Sequence, residues 1–231
     1  RNGTNTMISI QRLKEHLDAL NKNGYITLTQ EDIKNYYNKN QGIPTKSMFL
    51  MFEDGRTDTA IFASPVLREY NYIGTILSYG NKLEERNPKF LSPKDLKRLQ
   101  KSSFWEIGTN GYRLSYINVF DRYDNYLGEL NPVEFVTLSQ YIGRNYNHYL
   151  MDFIRDENKI PKENYEQMEH RIKSDYVFME KVYEERLGEM PDVYVLMHSN
   201  TGQFGSNKNV SEINERYIKK NFSINFNREG L

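Results

Sequence analysis

The sequence contains no cysteine, so neither disulfide bonds nor thiolate metal sites can contribute to its stability or chemistry. It also has no uninterrupted run of about 18 apolar residues, the length that a membrane-spanning helix requires. We therefore expect no membrane span in this chain. A cysteine-free composition is compatible with an extracytoplasmic location, although it does not establish one.

Neither sign of charge is in excess, because 31 Lys and Arg residues balance 31 Asp and Glu residues. A strong attraction to nucleic acid or to anionic membranes usually needs a basic excess, so no nucleic-acid partner is expected. Tryptophan occurs once, whereas 18 tyrosines and 12 phenylalanines make the chain rich in aromatic side chains. Most of these rings are expected in the core, although aromatic faces also suit stacking on sugars.

The length of 231 residues suits one α/β domain, and we predict a single domain over residues 1–231. The chain starts at Arg1 without a methionine and stops at Leu231 within FNREGL. We therefore expect it to be excised from a longer chain, with any signal peptide already removed.

Segments typical of strands alternate with segments typical of helices, which predicts a mainly parallel sheet, either open or closed into a barrel. Helix starts are marked by Ser9, by Thr29, and by Ser92 followed by Pro93. The predicted strands are residues 25–28, 48–52, 73–78, 104–107, 149–154 and 194–197, and predicted helices include 58–70, 131–146, 163–187 and 210–222. Residues 115–132, rich in Tyr, Asn and Asp, are predicted to form a long loop that serves as a lid or a binding rim.

Two adjacent carboxylates, Glu53 and Asp54, follow the apolar run 48–52 and precede Gly55. A short apolar run that ends at a turn signal is typical of a fully buried strand, and Gly55 permits a sharp turn. Ligands of α/β folds bind at the carboxyl ends of strands. The acid pair is therefore a candidate site, although a solvated loop that leads into a helix explains the same pattern.

Histidine is scarce, and its spacing does not suggest a metal site. No two of the four histidines lie four residues apart. His16 and His170 lie on predicted helices and are expected to be solvated, whereas His148 directly precedes a predicted strand. His198 follows the last predicted strand, so it shares with the acid pair a position at a strand end.

Four segments resemble motifs of the polysaccharide deacetylases of carbohydrate esterase family 4, the NodB-homology group. The opening NGYITLTQEDIKNYY…IPTKSMFLMFEDG resembles the family's first strand, short helix and apolar strand that ends in paired acids and Gly. IGTILSYG is similar to the family's next strand, and SSFWEIGTNGYR stands where the family carries its metal-binding histidines. VYVLMHSNTG resembles the last motif, an apolar strand followed by L-x-H.

This resemblance implies a distorted or incomplete (β/α) barrel of the polysaccharide deacetylase type. It also implies hydrolysis of acetyl groups assisted by a divalent metal that the family binds through one Asp and two His. Carried over by position, Glu53 is the general base, Asp54 the metal ligand and His198 the general acid. Glu53 replaces the family's usual Asp, so this acid is one methylene longer.

The metal motif departs from the family, because Asn110 and Leu114 stand near the positions of its two histidines. Zinc prefers nitrogen and sulfur ligands, so the standard zinc site with two His and one Asp is predicted to be absent. A divalent metal remains open as a weakly held ion with oxygen ligands from Glu53, Asp54 and Asn110, and Asp54 is the expected anchor.

The expected partner is a polysaccharide or oligosaccharide, and the expected location is extracellular or at the cell surface. The predicted substrate-binding residues are Asn110, Arg113, Tyr116 and Asp152, with Glu106 as a further neighbour; Tyr116, Tyr123 and Tyr126 would either stack on sugars or pack the loop down. Three functions stay open: a divergent deacetylase, a non-catalytic glycan-binding or scaffolding domain, and a glycosidase that uses two carboxylates.

Overall fold

The helices and strands follow one another along the chain largely in the predicted alternation. The helices are α1 Ile10–Lys22, α2 Gln30–Lys39, α3 Thr57–Tyr70, α4 Pro93–Gln100, α5 Pro132–Leu138, α6 Tyr165–Leu187 and α7 Lys208–Asn221, and a 3-10 helix spans Gly80–Leu83. The strands are β1 Ile26–Thr27, β2 Ser47–Met48, β3 Met51–Phe52, β4 Gly74–Tyr79, β5 Trp105–Gly111, β6 Tyr116–Phe120, β7 Tyr126–Leu130, β8 Asn147–His148, β9 Val193–Leu196 and β10 Ile224–Asn227.

The computed structural model describes residues 8–196 and 207–227. Its central element is a five-stranded parallel sheet in the order β10-β9-β5-β4-β3, and β1 and β2 form a separate parallel pair. Strands β7, β6 and β8 form an antiparallel sheet. Over the described residues the parallel sheet is a curled half-barrel, which confirms the predicted α/β fold with an incomplete barrel.

Local capping signals set several helix starts as the sequence predicts. The Ser9 side chain caps α1, and Thr29 forms a reciprocal capping box with Asp32 at the start of α2. Ser92 does the same with Asp95, while Pro93 occupies the first turn of α4. Among the described helices, none is long and apolar enough to cross a membrane.

The main core lies between the parallel sheet and the helices that cover it. Strand β4 is buried along its whole length, and the long helix α6 contributes Met168, Ile172 and Met179 to the same cluster. Each large apolar side chain that is fully removed from water stabilises the fold by about 1.5–3 kcal/mol. This core fixes the strand ends relative to one another, and these ends carry the candidate site.

The prediction of one fully buried central strand at residues 48–52 is wrong. Residues 47–48 pair with β1, whereas residues 51–52 pair with β4 at the edge of the five-stranded sheet. The side chains of the segment are only half-buried. The apolar run therefore changes partners midway, because its first half extends beyond β4. The acid pair nevertheless follows the carboxyl end of β3.

The prediction that residues 115–132 form a loop is also wrong, because they form the β6–β7 hairpin. Ile117, Val119 and Phe120 are almost fully buried, so this segment has its own apolar face. The Asp121 carboxylate accepts hydrogen bonds from the N–H groups of Tyr123 and Asn125, which shapes the turn. Turn chemistry at one end accounts for the polar composition that suggested a loop.

Residues 149–154 do not form the predicted strand, because their backbone carbonyls accept hydrogen bonds from side chains. Arg171 on α6 donates to the carbonyls of Tyr149 and Asp152, and Asn214 on α7 donates to the Leu150 carbonyl at 2.6 Å. These donors replace a neighbouring strand. The strand at 104–107 is in turn longer than predicted, since β5 continues through Gly108 to Gly111.

The helix predicted over residues 131–146 ends at Leu138, so its second half is not helical. The chain then turns back onto the β6–β7 hairpin, where the Gly143 N–H donates to the Phe120 carbonyl at 2.8 Å. A side chain at Gly143 would meet the Asp121 carbonyl oxygen at 3.1 Å. This close backbone approach holds the segment against the hairpin instead of in a helix.

Candidate functional site

The acid pair leaves β3 through a tight turn with an unusual backbone. Asp54 has φ +71° and Gly55 has φ +57°, both in the left-handed region. A Cβ atom at Gly55 would lie 2.8 Å from the Ser78 Cβ, so only glycine fits against β4 here. Asp tolerates positive φ better than most residues. Such conformations cluster at functional sites, which supports a role for this turn beyond connection.

Asn110 joins the acid turn to the opposite side of the sheet. Its Oδ1 accepts a hydrogen bond from the Asp54 N–H at 3.2 Å, and its Nδ2 donates to the Val195 carbonyl at 3.2 Å. The register between β4 and β5 shifts at this point, since Ser78 pairs with Thr109 and Tyr79 pairs with Gly111. Asn110 is thus the extra residue of a β-bulge, a device that redirects a side chain near a site.

The structure therefore brings Asp54 and Asn110 together, and Glu53 lies beside them in the chain. Strand β9 ends at Leu196 on the same edge of the parallel sheet. His198, the predicted general acid, follows two residues later but lies outside the described residues. Its convergence with Asp54 stays a prediction.

Tyr79 also lies at this edge, and sequence reasoning did not single it out. It is the last residue of β4 and is only 3% exposed. Burial, followed by the charge of Asp54 and lesser contributions that include Glu53, raises the pKa of Tyr79 well above its ordinary value. The sequence signal that identifies Tyr79 is the one used for Glu53 and Asp54: a polar side chain at the carboxyl end of an apolar strand.

Tyr116 begins β6 and is 5% exposed. Its ring stacks on Phe135 with centroids 3.9 Å apart and meets Tyr146 edge-on at 5.6 Å. Its ring is thus engaged within the protein, which matches the expectation that such rings pack the hairpin. Tyr126 is half-buried and donates to the Arg155 carbonyl, whereas Tyr123 is 70% exposed.

Arg113 follows β5 and forms an ion pair with a buried acid of α6. Its Nε lies 2.7 Å from the Asp175 carboxylate, and its guanidinium stacks on the Tyr149 ring at 4.9 Å. Asp175 is 2% exposed, and burial raises its pKa to about 6 despite the opposing effect of Arg113. The Arg113 side chain keeps 31% exposure, so it can reach a ligand while held from behind.

Asp152 is 1% exposed and is saturated by protein donors. It accepts from Arg155 through both oxygens, from the Asn118 side chain, and from the Phe153 N–H. These bonds use the acceptor capacity of the carboxylate and brace the segment after β8. The substrate-binding role predicted for Asp152 stays a prediction.

Glu106 does not join the other acids, because it lies near the start of β5. It lies four positions before Asn110 along the strand, a distance of roughly 13 Å. It accepts the Gln30 N–H at 2.9 Å, and desolvation raises its pKa. It lines a cavity of about 490 Å³ together with Gln30 and Asp192. Its expected place beside Asp54 is therefore wrong.

The described part of the chain does not form a ready metal centre. Among residues 8–196 and 207–227, no group of three or more His, Asp or Glu side chains is arranged to hold an ion. Asn110 already uses its amide oxygen on the Asp54 N–H, so it is poorly available as a ligand. His16 and His170 are exposed, as expected, and His148 is buried on β8 with its Nδ1 accepting the Leu150 N–H. A divalent ion anchored by Asp54 stays a prediction.

No protein-family model and no curated protein matches this sequence. Its fold, however, is similar to solved structures. A de-N-acetylase from Aggregatibacter actinomycetemcomitans matches with a TM-score of 0.67 at 18% identity, over 94% of this chain and 78% of that one.

Two further structures agree with this likeness. The BpsB deacetylase domain from Bordetella bronchiseptica matches with a TM-score of 0.64 at 13% identity, over 89% of this chain and 74% of that one. The Streptococcus pyogenes deacetylase PplD, solved with acetate, matches with a TM-score of 0.58 at 14% identity, over 96% and 73%. At such identities the likeness shows a shared deacetylase-type fold, and it does not by itself transfer an activity.

Proposed function

We propose that this domain is a polysaccharide deacetylase-like protein that hydrolyses N- or O-acetyl groups of a cell-surface or extracellular glycan. The observation that carries the proposal is the position of Glu53 and Asp54, which directly follow β3 at the carboxyl edge of the parallel sheet. Ligands of α/β folds bind at this edge, and the fold is shared with de-N-acetylases, which supports the proposal.

In this proposal Glu53 is the general base, His198 is the general acid and Asp54 is the anchor for any divalent metal. Glu53 and Asp54 are half-buried at the end of β3, where partial exclusion of water strengthens their electrostatic interactions with a bound group. A positioned general base contributes about 10²–10⁴ to a rate. A divalent metal held by Asp54 would polarise the acetyl carbonyl.

The four predicted substrate-binding residues differ in how accessible they are. Arg113 is the best placed, since a third of its side chain is exposed and Asp175 fixes its orientation. Asn110, Tyr116 and Asp152 are buried and engaged with protein partners. We therefore expect Arg113 to contact the glycan directly, and the other three to shape the site from behind.

A non-catalytic glycan-binding domain is the second candidate, and the tie made by Asn110 favours it. This residue stands near a position where the resemblance expects a metal-binding histidine, yet it links two backbone groups of the sheet. A side chain that bonds two backbone groups stabilises the site without binding a metal, as expected of a domain that binds glycans and does not hydrolyse them.

The test is release of acetate from acetylated amino-sugar oligomers by the purified domain, with and without added divalent metal ions. Metal content after dialysis and glycan binding are measured on the same preparation. Acetate release supports the deacetylase, and binding without release identifies the non-catalytic domain. New reducing ends without acetate would instead identify a glycosidase, and neither binding nor turnover would contradict the proposal.

A further inference from the structure

The hydroxyl group of Tyr79 is a buried donor that has no hydrogen-bond partner among the described residues. The residue is only 3% exposed, so bulk solvent does not supply the missing partner. Buried polar groups in folded proteins are almost always hydrogen-bonded, and each exception calls for an explanation. At a strand end beside two carboxylates, a ligand is the explanation that fits best.

The surroundings of Tyr79 come from several strands that meet at this edge. Besides burial, the groups that raise its pKa are Asp54 and Glu53 after β3, Tyr116 on β6 and Tyr194 on β9. A tyrosine phenol is protonated at neutral pH, so it can donate a hydrogen bond. The bulge at Asn110 lies directly opposite, where Tyr79 pairs with Gly111.

These neighbours restrict the chemistry of the missing acceptor. An anionic group would be repelled by the two carboxylates, so a neutral oxygen is favoured. An amide group suits the position especially well, because its carbonyl accepts from a phenol while its N–H donates to a carboxylate. A simple hydroxyl also offers both functions, so the test must separate the two groups.

We propose that the Tyr79 hydroxyl donates a hydrogen bond to the carbonyl oxygen of an acetamido group on a bound amino sugar. This inference rests on the proposed function and names the part of the glycan that the site holds. Tyr79 is then a substrate-binding residue that orients the acetyl group beside Glu53 and Asp54.

The test compares Tyr79→Phe with Tyr72→Phe, which removes a hydroxyl near the opposite end of β4. Tyr72 is 2% exposed, and its hydroxyl donates to the Tyr25 carbonyl at 2.8 Å. Tyr79→Phe should melt no lower than the wild type, because it removes no internal hydrogen bond, whereas Tyr72→Phe should melt lower. Calorimetry then measures binding of the chitin tetramer and of its fully deacetylated counterpart.

We expect Tyr79→Phe to weaken binding of the chitin tetramer about tenfold and to leave binding of the deacetylated tetramer unchanged. Tyr72→Phe should leave both unchanged. A melting temperature for Tyr79→Phe as low as that of Tyr72→Phe would mean that the hydroxyl is bonded inside the protein, which overturns the inference whatever the ligand. Equal losses for both tetramers would overturn the acetamido assignment. No binding of either tetramer by the wild type would overturn the proposed function itself.

Discussion

At the amino end of the five-stranded sheet, Glu106 and Gln30 have hydrogen-bond partners within the protein. Glu106 accepts the Gln30 N–H, and the Gln30 side chain donates to the Ile107 carbonyl at 3.0 Å. At the carboxyl end, Asp54 adopts a left-handed backbone and the Tyr79 hydroxyl has no partner among the described residues. The amino end is thus arranged for stability, and the carboxyl end keeps strain and an unused donor that suit a ligand.

A Glu→Gln substitution can be made at each end of the sheet, at Glu53 and at Glu106. The largest effect is expected for Glu53→Gln at the carboxyl end. If Glu53 is the general base, this variant should lose acetate release by about 10²–10⁴ while its melting temperature stays near that of the wild type. The amide keeps the size of the side chain and loses its basicity. An activity within threefold of the wild type, measured as released acetate, would show that the base lies elsewhere.

Asn110→Ala should cause the largest loss of stability at the carboxyl end. It leaves the Asp54 N–H and the Val195 carbonyl without their partner, at a cost of about 2–4 kcal/mol in the free energy of unfolding. Urea denaturation measures this loss, with Asn38→Ala on the exposed side of α2 as the control. A loss below that of the control would mean that Asn110 does not hold the strand ends together.

The sequence predicts those features of the fold that depend on local chemistry. The caps at Thr29 and Ser92 act within one helical turn, and the acid pair at Glu53 stands directly after its strand. Neighbouring residues in the sequence are therefore enough to predict these features. The bulge at Asn110 depends on the register with β4, which no residue of β5 reveals alone.

Features that depend on distant partners escaped prediction for the same reason. Arg171 donates a hydrogen bond to the Tyr149 carbonyl, which lies 22 positions earlier in the sequence. This bond prevents the strand that the apolar run 149–154 suggests. Tyr79 is distinguished only by what it lacks, a partner, and a sequence pattern does not show that. The position of the candidate site after β3 could therefore be predicted from the sequence, whereas Tyr79 and the contacts of Asn110 could not.

Asp175 offers a test of smaller size, because its ion pair with Arg113 lies on the carboxyl side of the sheet. Its folded-state pKa of about 6 exceeds its ordinary value of 3.8. Asp175 therefore contributes most to stability at acid pH, and this contribution falls as the pH rises from about 4 to 6. The fall is on the order of 2–3 kcal/mol.

In Asp175→Asn, the fall in the free energy of unfolding between these pH values should be absent. Urea denaturation at several pH values from 4 to 7 gives the comparison with the wild type. If the free energy of unfolding depended on pH in the variant as it does in the wild type, Asp175 would stay ionised in the folded protein, and the effect of Arg113 on its pKa would outweigh that of burial. The contrast between the two ends would then rest on Tyr79 and Asp54 alone.

Glu106→Gln, the counterpart of Glu53→Gln, should have the smallest effect of the series. Burial raises the pKa of Glu106, so its charged form is disfavoured in the folded state and its contribution to stability is lost as the pH rises through the folded-state value. The amide removes this pH dependence and still offers an oxygen to the Gln30 N–H, so stability at pH 7 should rise or stay equal, within about 1 kcal/mol. Acetate release and glycan binding should match the wild type, because roughly 13 Å of strand separates this residue from Asn110. A loss of activity comparable to that of Glu53→Gln would instead place the reaction at the cavity beside Glu106, and the roles of the two ends would be reversed.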